Sequence, residues 1–117
     1  MQRGVYGPRA ANGELANSLE NLGHALARRG ERGDLDAAKR HLETSFVMRL
    51  ALENGQEYPL VRTLGKLAGV YARTGDRQKA ADAYARAKTL LDALPPETPH
   101  VARKKAKVDE ALAKLKW

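Results

Sequence analysis

The stretch Leu67-Ala68-Gly69-Val70-Tyr71-Ala72-Arg73-Thr74-Gly75-Asp76-Arg77-Gln78-Lys79-Ala80-Ala81-Asp82-Ala83-Tyr84-Ala85-Arg86-Ala87 decides the fold. Apolar residues recur every three or four positions on both sides of Gly75-Asp76, which spells two amphipathic helices joined by a tight turn. Upstream, Leu60 and Leu64 lead into Leu67 and Tyr71 (or Val70), and Pro59 suits a first helical turn, where its missing N–H has no partner to lose. Downstream, Ala80, Ala83, Tyr84, Ala87, Leu90 and Leu91 mark the second helix, which starts at Asp76 and is stopped by Pro95-Pro96.

Working outward, Glu14 to Arg29 carries Leu15, Leu19, Leu22 and Leu26 at helical spacing, so this stripe is expected to face the core. Gly30 and Gly33 interrupt it, and Asp34 is placed to cap a helix from about Leu35 to Leu52, with Ala38, Leu42, Phe46 and Leu50 along one side. Asn54-Gly55 ends that helix. On the other flank, Thr98-Pro99 repeats the start signal, and Val101, Val108, Leu112 and Leu115 share a face of a fifth helix. Short turns make consecutive helices antiparallel neighbours.

Gly33-Asp34 lies over Gly75-Asp76 at an offset of 42 residues. Ala38 then falls on Ala80, Leu42 on Tyr84 and Ser45 on Ala87. With three extra residues allowed near Gly30–Arg32, Leu22-Gly23 matches Leu67-Ala68 and Leu26 matches Tyr71. Small residues belong where two helices cross, and large ones fill the gaps between crossings. This pattern (Leu67-Ala68, Tyr71, Gly75-Asp76, Ala80, Tyr84, Ala87) resembles the tetratricopeptide repeat, with a period longer than the usual ~34 residues. It is similar to the longer-helix variety of kinesin light chains and bacterial signalling ATPases. Pro95-Pro96-Glu97-Thr98-Pro99-His100-Val101-Ala102 resembles the linker of that variety, as does Val5-Tyr6-Gly7-Pro8 before Glu14. Repeat 1 departs from the pattern in its wide turn and in Ser45.

The resemblance implies an all-α, right-handed α-solenoid of antiparallel helical hairpins with about five helices. Its parts would be a linker-like segment (1–13), repeat 1 (14–54), repeat 2 (57–94) and a half repeat acting as a capping helix (98–117). A chain opening on an inter-repeat linker reads as a piece of a longer array or the descendant of one. Repeats bury their apolar faces against neighbours, so self-association is expected at the open N-terminal end.

Composition narrows the function. Of the 117 residues 43% are hydrophobic but only 5% aromatic, so alanine and leucine carry the core. With no cysteine, thiolate metal sites and cysteine nucleophiles are excluded. No apolar run is long enough to span a membrane, none at the N-terminus reads as a secretory signal, and the expected location is cytoplasmic. The net charge of +7 favours acidic partners, and four of those charges fall between His100 and Trp117. Arg103, Lys104, Lys105 and Lys107 therefore form a basic helix face open to nucleic acid or simply to solvent. Trp117 closes the chain, packed on the fifth helix or on a neighbouring molecule. No membrane partner is expected.

No spacing supports catalysis. His24, His41 and His100 lack a metal-ligand pattern, Ser18 and Ser45 lack an activating motif, and the glycines form no phosphate loop. Neither enzyme activity nor a cofactor is expected. In the resembled family the first helix of each hairpin lines a concave groove for a peptide or partner helix. The matching positions here are Asn17, Glu20, Asn21, His24 and Arg28 in repeat 1, Arg62, Lys66, Gly69 and Arg73 in repeat 2, and Arg103 and Lys107 in the half repeat. Lysine and arginine so arranged hold carboxylates by charge-assisted hydrogen bonds, while Gly65 and Gly69 leave room for a ligand backbone. The same positions equally suit ordinary solvated helix surface. The expectation is a protein-binding scaffold for an acidic or carboxylate-bearing peptide. The alternatives are a regulatory or sensor module of a larger bacterial signalling protein, or a nucleic-acid-associated factor.

Overall fold

The computed structural model describes residues 13–52, 57–95, 97–98 and 100–115, and the described chain is all-helical. Five helices follow one another: α1 (Gly13–Arg29), α2 (Asp34–Ala51), α3 (Glu57–Arg73), α4 (Arg77–Ala93) and α5 (Val101–Leu115). They group into two compact units, residues 1–56 and 57–117. In the first unit α1 packs on α2; in the second α3 packs on α4 and α4 on α5. Within each unit, the packing of adjacent helix pairs fits a helical repeat. The linker-like stretches at 1–12, Asn54-Gly55, Pro96, Pro99 and Trp117 lie outside the described residues.

The first hairpin is built around a close crossing. At Gly23 a Cβ would stand 2.8 Å from Leu42 Cγ and 3.2 Å from the Ala38 carbonyl oxygen, so any larger residue there would have to displace them. Ala16, Glu20, Gly23 and Ala27 form the buried line of α1, and Asp34, Ala38, Leu42, Ser45 and Arg49 that of α2. This corrects the expected core. Leu15, Leu19 and Leu26 are only half-buried, and Leu22 is 46% exposed. On α2, Phe46 is half-buried and Leu50 is exposed. The reason is steric: small side chains let the helix axes approach, so the seam follows the small residues rather than the leucines.

Two polar contacts lock that seam. The Ser45 hydroxyl donates to the Ala16 carbonyl at 2.8 Å, and the Arg49 guanidinium donates to the Glu20 carboxylate at 3.0 Å. At the turn, Gly30 and Gly33 adopt positive φ, and Arg29 grips both carboxylate oxygens of Asp34 at 2.7 and 3.0 Å. Asp34 also accepts the Glu31 N–H. It is the first residue of α2 and does not cap it; Gly33 holds the cap position with no side-chain bond.

In the second unit the expected stripe is the core: Leu60, Leu64, Leu67 and Tyr71 are each 8% exposed or less. α3 ends in a Schellman motif, with Asp76 N–H on the Tyr71 carbonyl and Gly75 N–H on that of Ala72. This motif needs a left-handed residue, supplied by Gly75 at φ 86°. Asp76 then caps α4, accepting the Lys79 N–H at 3.2 Å. α4 buries Ala80, Ala83, Ala87 and Leu91.

α5 lies antiparallel on α4. Lys88 pairs with Asp109 at 2.9 Å and Lys105 with Asp92 at 3.0 Å, so one residue sum describes both contacts. Val101 and Val108 are its buried residues, and Arg77 of α4's first turn donates to the Leu115 carbonyl at 2.7 Å.

Candidate ligand-binding cleft

The second unit carries a cleft between α3 and α5, with α4 at its floor. One hollow of about 190 Å³ is lined by Val61 and Gly65 of α3, Tyr84 of α4 and Lys104, Lys107, Val108 and Ala111 of α5. A second, of about 300 Å³, adds Ala72 and the rim residues Glu110, Lys114 and Leu115, and shares Tyr84, Lys107 and Ala111 with the first. A ligand there would meet an apolar floor with ammonium groups at the edge.

The local structure explains the hollow. Gly65 and Gly69 occupy the interior of α3, where a Cβ at either would touch nothing within 4 Å. A mid-helix glycine costs roughly 0.5–1 kcal/mol relative to alanine. At Gly23 the close approach of Leu42 accounts for that cost; at Gly65 and Gly69 no packing does. Tyr84 stands where the first hairpin has Leu42, but it is only half-buried, and burial of its phenol pushes the pKa up, keeping it a neutral hydrogen-bonding group. Lys104 holds its ammonium 6.0 Å from the Tyr58 ring centroid, a cation–π contact at the end of the cleft.

The sequence-derived candidates distribute as follows. On α1, Asn17, Asn21, His24 and Arg28 are exposed and fall on one line. Glu20 is fully buried on Arg49, so its carboxylate is committed to the α1–α2 seam and is not presented to a ligand. On α3, Arg62, Lys66 and Gly69 are half-buried and Arg73 is exposed. On α5, Arg103 and Lys107 are exposed. Of these, the cleft gathers Lys107. Tyr84, Lys104 and Lys114 are lining residues that groove alignment passed over. The usable signal was complementarity of size: a glycine in α3 and a lone large aromatic in the alanine-rich α4.

The basic face of α5 is partly spoken for. Lys105 is paired with Asp92, and Asp109 on the same helix is paired with Lys88, whose pKa the Asp109 carboxylate raises through their hydrogen bond. Among the described residues no group of three or more His, Asp or Glu is placed to hold a metal ion, and no helix is long and apolar enough to cross a membrane. The chain matches no family model, no curated protein and no solved structure.

Proposed function

We propose that this chain is a tetratricopeptide-like interaction module that binds an acidic or carboxylate-bearing peptide, and that the α3–α5 cleft is its principal contact. The observation that supports this reading is the hollow beside Gly65. It is open where the helix would be more stable filled, apolar at its floor, and edged by Lys104, Lys107 and Lys114. A peptide backbone can approach α3 closely there, with its carboxylates on the ammonium groups. The apolar floor of the cleft and the pairing of Lys105 with Asp92 favour this over nucleic acid, whose binding rests on the number of cations free to neutralise phosphates.

The test is fluorescence anisotropy with a labelled glutamate-rich peptide pool, and a labelled single-stranded nucleic acid in parallel. Peptide binding falls by roughly tenfold or more with Lys107→Glu, and with the triple reversal Arg62→Glu, Lys66→Glu and Arg73→Glu. Gly65→Leu, which fills the cleft without touching charge, lowers it as well. Loss of nucleic-acid binding on reversing Arg103, Lys104, Lys105 and Lys107, with no peptide bound by the parent, would overturn the reading.

A further inference from the structure

The two hollows of the α3–α5 cleft are separated by one interval along both of their walls. Gly65 of α3 and Val108 of α5 border the first hollow, and Ala72 and Leu115 border the second. Gly65 to Ala72 and Val108 to Leu115 are each a step of seven residues, about two turns or ~10 Å of helix. α4 runs antiparallel to α3 across the Gly75 turn and antiparallel to α5 by its ion pairs, so both walls advance in the same direction. Tyr84, Lys107 and Ala111 border both hollows and mark the middle.

That interval discriminates between peptide shapes. An extended peptide covers ~10 Å in about three residues, and successive side chains of a strand point to opposite faces. Its first and fourth side chains would leave in opposite directions, so one hollow would stay empty. The same-face steps of two and four residues span ~7 and ~13 Å, wrong by about 3 Å either way. A helix laid along the cleft instead advances at the same rate as the walls. Its positions i and i+7 share a face ~10 Å apart, and i+3 or i+4 lies between them. Charge completes the pattern. The cleft side of α5 runs Lys104, Lys107, Ala111, Lys114, whereas the ion pairs with α4 use Lys105 and Asp109 and none of these lysines. Glu110 is the one carboxylate among the lining residues, and it borders only the second hollow. An acid on the ligand is thus favoured at the middle, on Lys107, and toward Lys104, and opposed beside Glu110.

We infer, resting on the proposed function of this cleft, that its ligand is an amphipathic helix with large apolar residues at i and i+7 and a glutamate or aspartate at i+3 or i+4. One apolar side chain enters the hollow at Gly65 and the other the hollow at Ala72, while the carboxylate between them lies on the Lys107 ammonium. The Tyr84 hydroxyl, on the floor of both hollows, is a second donor at that middle position. Anchors at two-turn spacing are how a helix reads a groove.

The test measures labelled peptides of one composition against the full chain by fluorescence anisotropy. The helical-register peptide carries two leucines seven positions apart with a glutamate midway, on an alanine and glutamine background. One isomer moves the second leucine two positions, off that helix face; another sets leucine, glutamate and leucine at alternate positions, as a strand requires. The helical-register peptide should bind roughly tenfold or more tightly than either. Gly65→Leu and Ala72→Leu each fill one hollow. In each variant, replacing one peptide leucine by alanine should no longer weaken binding, while replacing the other still costs roughly tenfold, and the two leucines should exchange roles between the variants. The isomer comparison uses the unaltered chain and so stands whatever those variants do. Equal binding of the isomers, or preference for the strand register, while the glutamate-rich pool still depends on Lys107, would overturn the helical ligand and leave the proposed function standing. If neither the pool nor any of these peptides binds, both fall.

Discussion

Arg49 of α2 holds the Glu20 carboxylate of α1 at 3.0 Å, with 4% and 0% of their side chains exposed. Two full charges are thus withdrawn from water inside a hairpin whose other seam residues are mostly alanine and glycine. A buried pair of this kind adds little net stability, since desolvation offsets much of the attraction. What it does is penalise other pairings of the two helices, each of which would strand one charge.

The first prediction follows from that asymmetry. Glu20→Leu or Arg49→Met alone should destabilise the first hairpin by about 3–5 kcal/mol, because each leaves the other charge buried without this ion pair. The double replacement Glu20→Leu with Arg49→Met should recover most of the loss. Urea unfolding of the four variants as a double-mutant cycle measures the coupling, and additive single losses would show that the charges do not depend on each other.

Glycines at helix interiors separate packing from function. Gly23→Ala must push Leu42 and the Ala38 carbonyl away from contacts of 2.8 and 3.2 Å, and should lower stability. The expected cost is about 1–3 kcal/mol, in the range of overpacked cores. Gly65→Ala and Gly69→Ala meet open space and should each raise stability by about 0.5–1 kcal/mol. Thermal unfolding of the three single variants distinguishes them by sign alone.

These residues also show what was legible beforehand. The junction at Gly75-Asp76 was readable because its chemistry is local: a left-handed turn residue followed by a carboxylate that caps the next helix. Asp34 looked the same but is diverted by Arg29, a neighbour that no capping rule weighs. The α1 seam was not readable from hydrophobicity, since its buried line holds a glutamate and a glycine while leucines stand outside. Glu20 and Arg49 are 29 residues apart, so no spacing along one helix connects them. In the cleft, Lys107 and the room at Gly65 were foreseeable from charge and size. That Tyr84 would line the hollow depended on where α5 settles.

Acid titration should find Asp34. Hydrogen bonds from Arg29 hold its carboxyl below the ordinary aspartate value, against the opposing effect of burial. The folded state therefore binds that proton less readily than the unfolded chain. The stabilisation is fully present above the ordinary value of ~3.9 and is lost as pH falls through the depressed native value. Asp34→Asn should lower the melting temperature at neutral pH and flatten its decline below about pH 4. An unchanged acid limb in that variant would show that the Arg29 contact contributes nothing in solution.

The last prediction concerns α5, whose hold on α4 has two parts of different character. Val101 and Val108 are its buried side chains, whereas Lys88–Asp109 and Lys105–Asp92 are exposed pairs that dissolved salt screens. A cavity also flanks Val108, so α5 rests on less packed surface than α3 and α4 share. Local opening of α5 should therefore precede global unfolding. Amides of residues 101–115 should exchange hydrogen faster than those of α4, and moderately faster again at high salt. Val108→Ala, which removes about 1–2 kcal/mol of buried apolar contact, should speed that exchange about tenfold while α1 and α2 remain unchanged. If α4 and α5 exchanged at one common rate in every variant, the two would be a single cooperative unit, and the valines would be supporting the whole hairpin rather than the docking of its last helix.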